Sequence, residues 1–270
     1  MPHKEFSDEF SGRTALVTGA ARGLGKAIAG VLLEQGARVV AADLLEDALD
    51  KTAAELSEKA PGSVWKRVLD VRDEKAVQGL FEWASRDDTI GTIDVLVNNA
   101  GVCYAHPFIE QDEAAYEDTF AVNVYGVLTV SRIFASYLIA RKQGGNIVNL
   151  SSNAYRRPYA YFVEYNASKA AVANITHTLS QELAPYGINV NAVAPGAADT
   201  HMLRYSMERT IALDGGGVDV EECRKTWGPR QLRRLVDPRE VGLVAAFLAS
   251  ERARIVRGQT IFVDGGDTAL

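Results

Sequence analysis

The feature that most constrains this chain is a repeated alternation. Short runs that are apolar almost throughout are each followed by a longer stretch with helical apolar spacing. The runs are "RTALVTG", "RVVAAD", "SVWKRVLDV", "TIDVLVNNAG", "GNIVNLSS", "INVNAVAPG" and "GQTIFVDGG". A strand with one wet face alternates apolar and polar residues, so strands without that alternation are covered on both sides. The intervening helices supply the cover, and right-handed crossovers arrange the whole as a doubly wound parallel sheet. Helices are predicted over "GLGKAIAGVLLEQGA", stopping at Gly36, over about Ala48–Lys59, and over "DEKAVQGLFEWASR" with Asp73 as its cap. Further helices are predicted over about Asp112–Lys142, interrupted near its start, over about Phe162–Tyr186, and over "DPREVGLVAAFLAS".

The pattern reads as an N-terminal arm, residues 1–12, and a single α/β domain, residues 13–270, with about seven strands and helices on both faces. One region, about Ala197–Leu235, is long, weakly periodic and contains "DGGG" and "WGPRQLRR". A long insertion of this kind suits a lid over a site. The formal charge of −6, from 29 basic and 35 acidic residues, leaves no electrostatic footprint for nucleic acid or an anionic membrane. Cys103 and Cys223 have neither CxxC nor Cys/His spacing, so free thiols are expected and no metal site. The polar start "MPHKEFSDEFSGR" is not a secretory signal. The apolar run "FAVNVYGVLTVSRIFASYL" carries Asn123 and Arg132 and reads as a core helix, so a cytoplasmic location is expected.

The first strand-to-helix turn reads "TGAARGLG", with Gly19, Gly23 and Gly25 in a T-G-x-x-x-G-x-G spacing. Glycines there let the backbone turn tightly and approach a pyrophosphate at the helix N-terminus, as in a Rossmann-type fold. Asp43 closes the second strand, where a carboxylate accepts ribose hydroxyls and repels a 2′-phosphate. That favours NAD. Arg22, inside the turn, points the other way, since a guanidinium can pair with a phosphate.

The stretch "YNASK" places Tyr165 and Lys169 one turn apart on a single helix face. A tyrosine with a pKa of about 10 is a weak base at neutral pH. An ammonium roughly 5 Å away, at an effective dielectric of ~20, favours the phenolate by about 3 kcal/mol. The pair is therefore expected to form a usable proton acceptor.

With "TGAARGLG", "NNAG" and "YNASK" in this order, the chain resembles the short-chain dehydrogenase/reductase family, in its compact single-domain branch, from about Arg13 to Gly266. The resemblance implies that Gly19, Gly23, Leu24 and Gly25 bind the pyrophosphate. It implies that Asp70 and Val71 contact the adenine, and that Asn98, Asn99, Ala100 and Gly101 pack beside the adenosine ribose; Leu44, next to Asp43, is a further cofactor-binding candidate. Asn123, Ser152, Tyr165 and Lys169 match its catalytic tetrad; the family's spacing selects Ser152 over Ser151. Pro195, Gly196, Ala198 and Thr200 match the loop whose threonine holds the nicotinamide carboxamide. Departures at Ala198, where the family often has isoleucine or valine, and at Tyr155, where it often has glycine, fall beside the substrate.

On this reading Tyr165 takes the hydroxyl proton, Ser152 hydrogen-bonds the reacting oxygen, and the Asn123 side chain holds a water that relays the proton from Lys169. The segment "NAYRRPYAYFVE" runs past the site, offering Asn153, Tyr155, Arg156 and Arg157 to substrate. Two adjacent arginines can clamp an anionic group. His106, His201 and Tyr104 are further pocket candidates. The expectation is an NAD-dependent alcohol dehydrogenase for a small polar substrate (sugar, polyol or hydroxy acid, anionic ones included), working as a homo-oligomer, with a tetramer favoured by the resemblance. The alternatives are an NADPH-dependent carbonyl reductase and a non-catalytic nucleotide-binding module.

Overall fold

The computed structural model describes residues 8–229 and 231–269, so residues 1–7 of the expected arm lie outside the description. The strands are β1 (Thr14–Thr18), β2 (Arg38–Asp43), β3 (Val64–Val68), β4 (Ile93–Asn98), β5 (Gly145–Leu150), β6 (Ile188–Pro195) and β7 (Thr260–Val263). They form one parallel sheet in the order β3-β2-β1-β4-β5-β6-β7. Strand order reverses between β1 and β4, which opens a crevice at the carboxyl ends of these two strands.

Alternate residues of the central strands serve two cores. Ala15, Val17, Val39, Ala41, Val95 and Val97 face α1 (Gly23–Glu34) and α9 (Pro238–Ala249), and bury Ile28, Leu32, Val241 and Ala245. Leu16, Val40, Ala42 and Leu96 face α3 (Glu74–Ala84) and α5 (Val127–Ala140), and bury Leu80, Phe81, Phe134 and Leu138. This double cover is why those strands show no alternation. The second core also carries a polar chain. Asn98 Nδ2 donates to Ser131 Oγ and to Asn149 Oδ1, both at 2.9 Å, and Asn149 Nδ2 donates to Thr176 Oγ1 at 2.9 Å. Fully partnered buried amides of this kind fix the register of β4, β5 and the helices over them.

Helix boundaries follow local chemistry. Asp73 accepts from the backbone N–H groups of Lys75 and Ala76, at 2.9 and 3.1 Å, and so starts α3. Asp237 and Glu240 form a reciprocal capping box at the start of α9. Helix α2 (Glu46–Lys59) begins two residues before the expected Ala48, because Asp43 Oδ1 accepts from Leu45 N at 2.9 Å and steadies the entry. The expected interruption of the long fourth helix is a π-helical turn, Ala121–Gly126, between α4 (Glu113–Phe120) and α5, and it carries Asn123. Helix α6 (Val163–Leu183) presents Tyr165 and Lys169.

The segment expected as a lid contains two helices, α7 (His201–Leu213) and α8 (Val220–Thr226). Their periodicity is weak because α7 buries only Ser206 and Met207, and α8 only Cys223. The excursion leaves and rejoins the body through a parallel bridge of Ala198 with Val236, where Val236 N donates to Ala197 O and Asp199 N to Val236 O.

Candidate active site

The glycine turn closes against the loop after β4. Gly19 has a φ of 65°, and a Cβ there would lie 2.8 Å from both Ala100 Cα and Asn99 Nδ2. Asn99 Nδ2 donates to Thr18 O and Gly19 O at 2.9 Å, and Thr18 Oγ1 accepts from Asn99 N and Ala100 N at 3.1 Å. The side chains of "NNAG" are thus spent on holding the turn and the sheet. Helix α1 then starts at Gly23 with no side-chain cap and no acidic residue in its first turn. Its leading N–H groups and positive dipole end face the crevice unneutralised, which fits a pyrophosphate.

Around this turn the other cofactor candidates take their places. Asp43 accepts from Ala21 N and Leu45 N, both at 2.9 Å, which leaves each oxygen a further lone pair for a hydroxyl donor. Leu44 beside it is exposed. A Cβ at Gly23 would meet Thr200 Cγ2 at 3.4 Å, so the threonine at the root of the α7–α8 excursion abuts the turn. Gly196 passes close to Asp264, and Pro195 ends β6. Asp70 is committed to Arg72, whose guanidinium holds its carboxyl below the ordinary range. Arg72 also meets Asp118, which accepts from Tyr104 OH at 2.8 Å. Val71 is buried, and a Cβ on Gly126 of the π-helical turn would press into its side chain.

The four residues of the expected tetrad sit together at the end of β5. Lys169 Nζ is 5.6 Å from the centre of the Tyr165 ring and donates to Leu150 O at 2.9 Å. Ser152 leaves β5, is buried, and accepts from Ala154 N at 3.1 Å. Ser151 Oγ instead donates to Lys169 O at 2.8 Å, a structural role that keeps it from the crevice. Asn123 Oδ1 accepts from Val102 N at 2.8 Å, and its Nδ2 donates to Val102 O and Ser168 Oγ, both at 3.0 Å.

Two expectations need correcting here. Burial, together with nearby Cys103, pushes Tyr165 above its usual pKa, while the Ser152 hydroxyl pulls the other way. Burial also lowers Lys169 to about 8. Desolvation of the ring dominates the shift, so the surroundings of the protein alone favour the neutral phenol. Second, both N–H donors of Asn123 are used within the protein, so its side chain braces Val102 and can meet a water only through the second lone pair of Oδ1.

The substrate wall also departs from the sequence reading. Arg157 forms an ion pair with Asp267, and Arg156 lies over the Phe262 ring, 5.8 Å from its centre. Tyr155 stacks on the same ring at 5.4 Å. The two arginines therefore do not form a free anion clamp: one is neutralised and the other rests on β7. Asn153 is buried next to Ser152. Tyr104 is committed to Asp118, His201 is exposed at the start of α7, and the loop bearing His106 is tied to Tyr161 O.

Three residues belong to the site that the sequence did not single out. Cys103 lies beside Tyr165 and Lys169, contacts Ser206 of α7 at 3.9 Å, and is raised by burial to about 12. Its only sequence signal is its place two residues after "NNAG". Tyr159 and Asp267 meet beside Ser152 through contacts far apart in sequence, and no local pattern marks them.

A doubly wound sheet, an uncapped helix behind a glycine turn at its switch point, and a Ser/Tyr/Lys cluster across the crevice define a nicotinamide-dependent oxidoreductase. Comparison makes this specific: the sequence profile of the short chain dehydrogenase family matches residues 13–210, and the chain belongs to that family. It is 37% identical over 262 residues to a sorbitol dehydrogenase of Cereibacter sphaeroides, covering 95% of this chain and 97% of the relative. It is 39% identical over 265 residues to a cis-4-hydroxycyclohexanecarboxylate dehydrogenase of Sinomonas cyclohexanicum, covering 97% and 99%. Actinorhodin polyketide ketoreductase, solved with NADPH, superposes with a TM-score of 0.88 at 32% identity, covering 96% of this chain and 98% of that one.

Proposed function

We propose that the protein is an NAD(H)-dependent dehydrogenase that interconverts a secondary alcohol and its ketone on a small polar substrate. The observation that carries the reading is the meeting of Ser152, Tyr165 and Lys169 at the end of β5, across from the glycine turn. The nicotinamide, when bound, supplies the acceptor or donor of hydride. Ser152 hydrogen-bonds the reacting oxygen, and Tyr165 gives up or takes its proton. In reduction the neutral phenol is already the proton donor. In oxidation the phenolate would be favoured by the Lys169 ammonium and by the positive charge that an oxidised nicotinamide supplies. The Lys169 ammonium, on the same helix face, would also hold the nicotinamide ribose.

NAD is favoured by Asp43, and by Glu46 and Asp47 in the first turn of α2, whose carboxylates repel a 2′-phosphate. Titration of both cofactors tests this: NADH is expected to bind more tightly, and tighter NADPH binding overturns it in favour of Arg22. A homo-oligomer, with a tetramer favoured, belongs to the same reading. It is supported by exposed apolar side chains on two separate elements, Tyr125 and Leu128 around the start of α5, and Leu243 and Phe247 on α9. The substrate class is tested with sugars, polyols and hydroxy acids in the presence of NAD, following NADH formation. No turnover of any of them refutes the assignment.

A further inference from the structure

The segment after β7 returns to the reacting centre. Asp264 accepts from Gly266 N at 3.0 Å, Thr268 N at 2.9 Å and Thr268 Oγ1 at 2.6 Å, which makes a rigid turn. The turn delivers Asp267 to the substrate wall, where its side chain is only 10% exposed. One carboxylate oxygen pairs with Arg157. The other accepts from Asn153 Nδ2 at 3.1 Å and from Tyr159 OH at 3.3 Å, while Asn153 Nδ2 also donates to Tyr159 OH at 3.0 Å. Asn153 Oδ1 is 3.5 Å from Ser152 Oγ. Asp267 is therefore one residue removed from the serine that meets the reacting oxygen.

From this geometry we infer that Asp267 is a specificity-determining residue: it cancels the charge of Arg157 and fixes Asn153 and Tyr159, so the pocket takes a neutral polyhydroxylated alcohol and disfavours its carboxylate counterpart. The inference rests on the alcohol-dehydrogenase reading above and narrows its substrate class. The two relatives mark the alternatives, one named for a neutral polyol and the other for a carboxylate. A buried carboxylate beside the pocket repels a second one, and an arginine already paired offers it little compensation. With their donors spent on Asp267 and on each other, Asn153 and Tyr159 keep only acceptor lone pairs, which suit the hydroxyl groups of a polyol and not a carboxylate.

The test compares sorbitol with gluconate, the same carbon chain bearing a carboxylate. The kcat/KM ratio is measured with NAD for the wild type, Asp267→Asn, Arg157→Gln and the double variant. The wild type is expected to prefer sorbitol. Asp267→Asn, which keeps the shape and removes the charge, is expected to move the ratio toward gluconate by on the order of tenfold. Adding Arg157→Gln is expected to return it. A merely structural role would lower both substrates together and leave the ratio unmoved. A ratio within about twofold of wild type in a variant that still binds NADH overturns the inference and leaves the dehydrogenase reading standing. Should Asp267→Asn fail to fold, Arg157→Gln alone decides: an unpaired Asp267 must push the ratio further toward sorbitol, and an unchanged ratio overturns the inference. Absence of turnover by the wild type on the whole alcohol panel instead refutes the underlying reading, and the inference with it.

Discussion

At the scale of single residues the burial of two polar groups governs behaviour. Tyr165→Phe removes only the hydroxyl, so turnover is expected to vanish while NADH affinity stays within a few-fold; fluorescence titration beside a rate assay checks both. Lys169 is a buried cation lowered to about 8 from an unfolded value of about 10.4. Below pH 8 both states carry the proton, and the folded state bears the full cost, about 3 kcal/mol. Between about pH 8 and 10.4 the unfolded state binds more protons, so wild-type stability rises with pH. Lys169→Met is thus expected to melt higher than wild type at pH 7, with the advantage shrinking over that window in pH-resolved thermal melts. An advantage that does not depend on pH contradicts the electrostatic cause. The Tyr–Lys spacing was legible because helical geometry alone puts i and i+4 together. The direction of the tyrosine's shift was not, since desolvation depends on what covers the ring.

At the scale of elements the seam between α4 and α6 matters most. Four residues before Asn123 and Ser168 stand Thr119 and Glu164, both buried, and their side-chain oxygens have no hydrogen-bond partner among the described residues. Glu164 lies in the first turn of α6, where the helix dipole favours an anion by at most about 2 kcal/mol. Leaving buried polar oxygens without hydrogen-bond partners costs about 1–3 kcal/mol each, which for two oxygens exceeds that gain. Glu164→Leu is expected to stabilise the fold by about 1–3 kcal/mol, seen as a higher denaturation midpoint at an unchanged m-value; a lower midpoint would show that the carboxylate is needed for packing. Elements with broad apolar faces, α1, α5 and α9, were legible in sequence. Helices α7 and α8 were not, because a narrow buried stripe of one or two residues leaves no period to read.

Across the whole molecule the sheet order and the position of the crevice follow from strands without alternation, and the seven-strand parallel sheet agrees with that reading. The substrate wall was illegible for a topological reason. Asp267 and Asn153 lie 114 positions apart, and only the closing of β7 onto β6 brings them together. The apolar residues of α9 supply the remaining prediction. Phe247→Glu with Leu243→Glu is expected to lower the solution mass measured by light scattering, without loss of helical content. An unchanged mass rules α9 out as a subunit contact. The turn after β7 that sets Asp267 against Asn153 has a practical consequence for handling the protein. A label or crosslinker attached within residues 264–268 pulls on the very groups that sort substrates. Kinetic comparisons are therefore best made with such groups attached elsewhere on the fold.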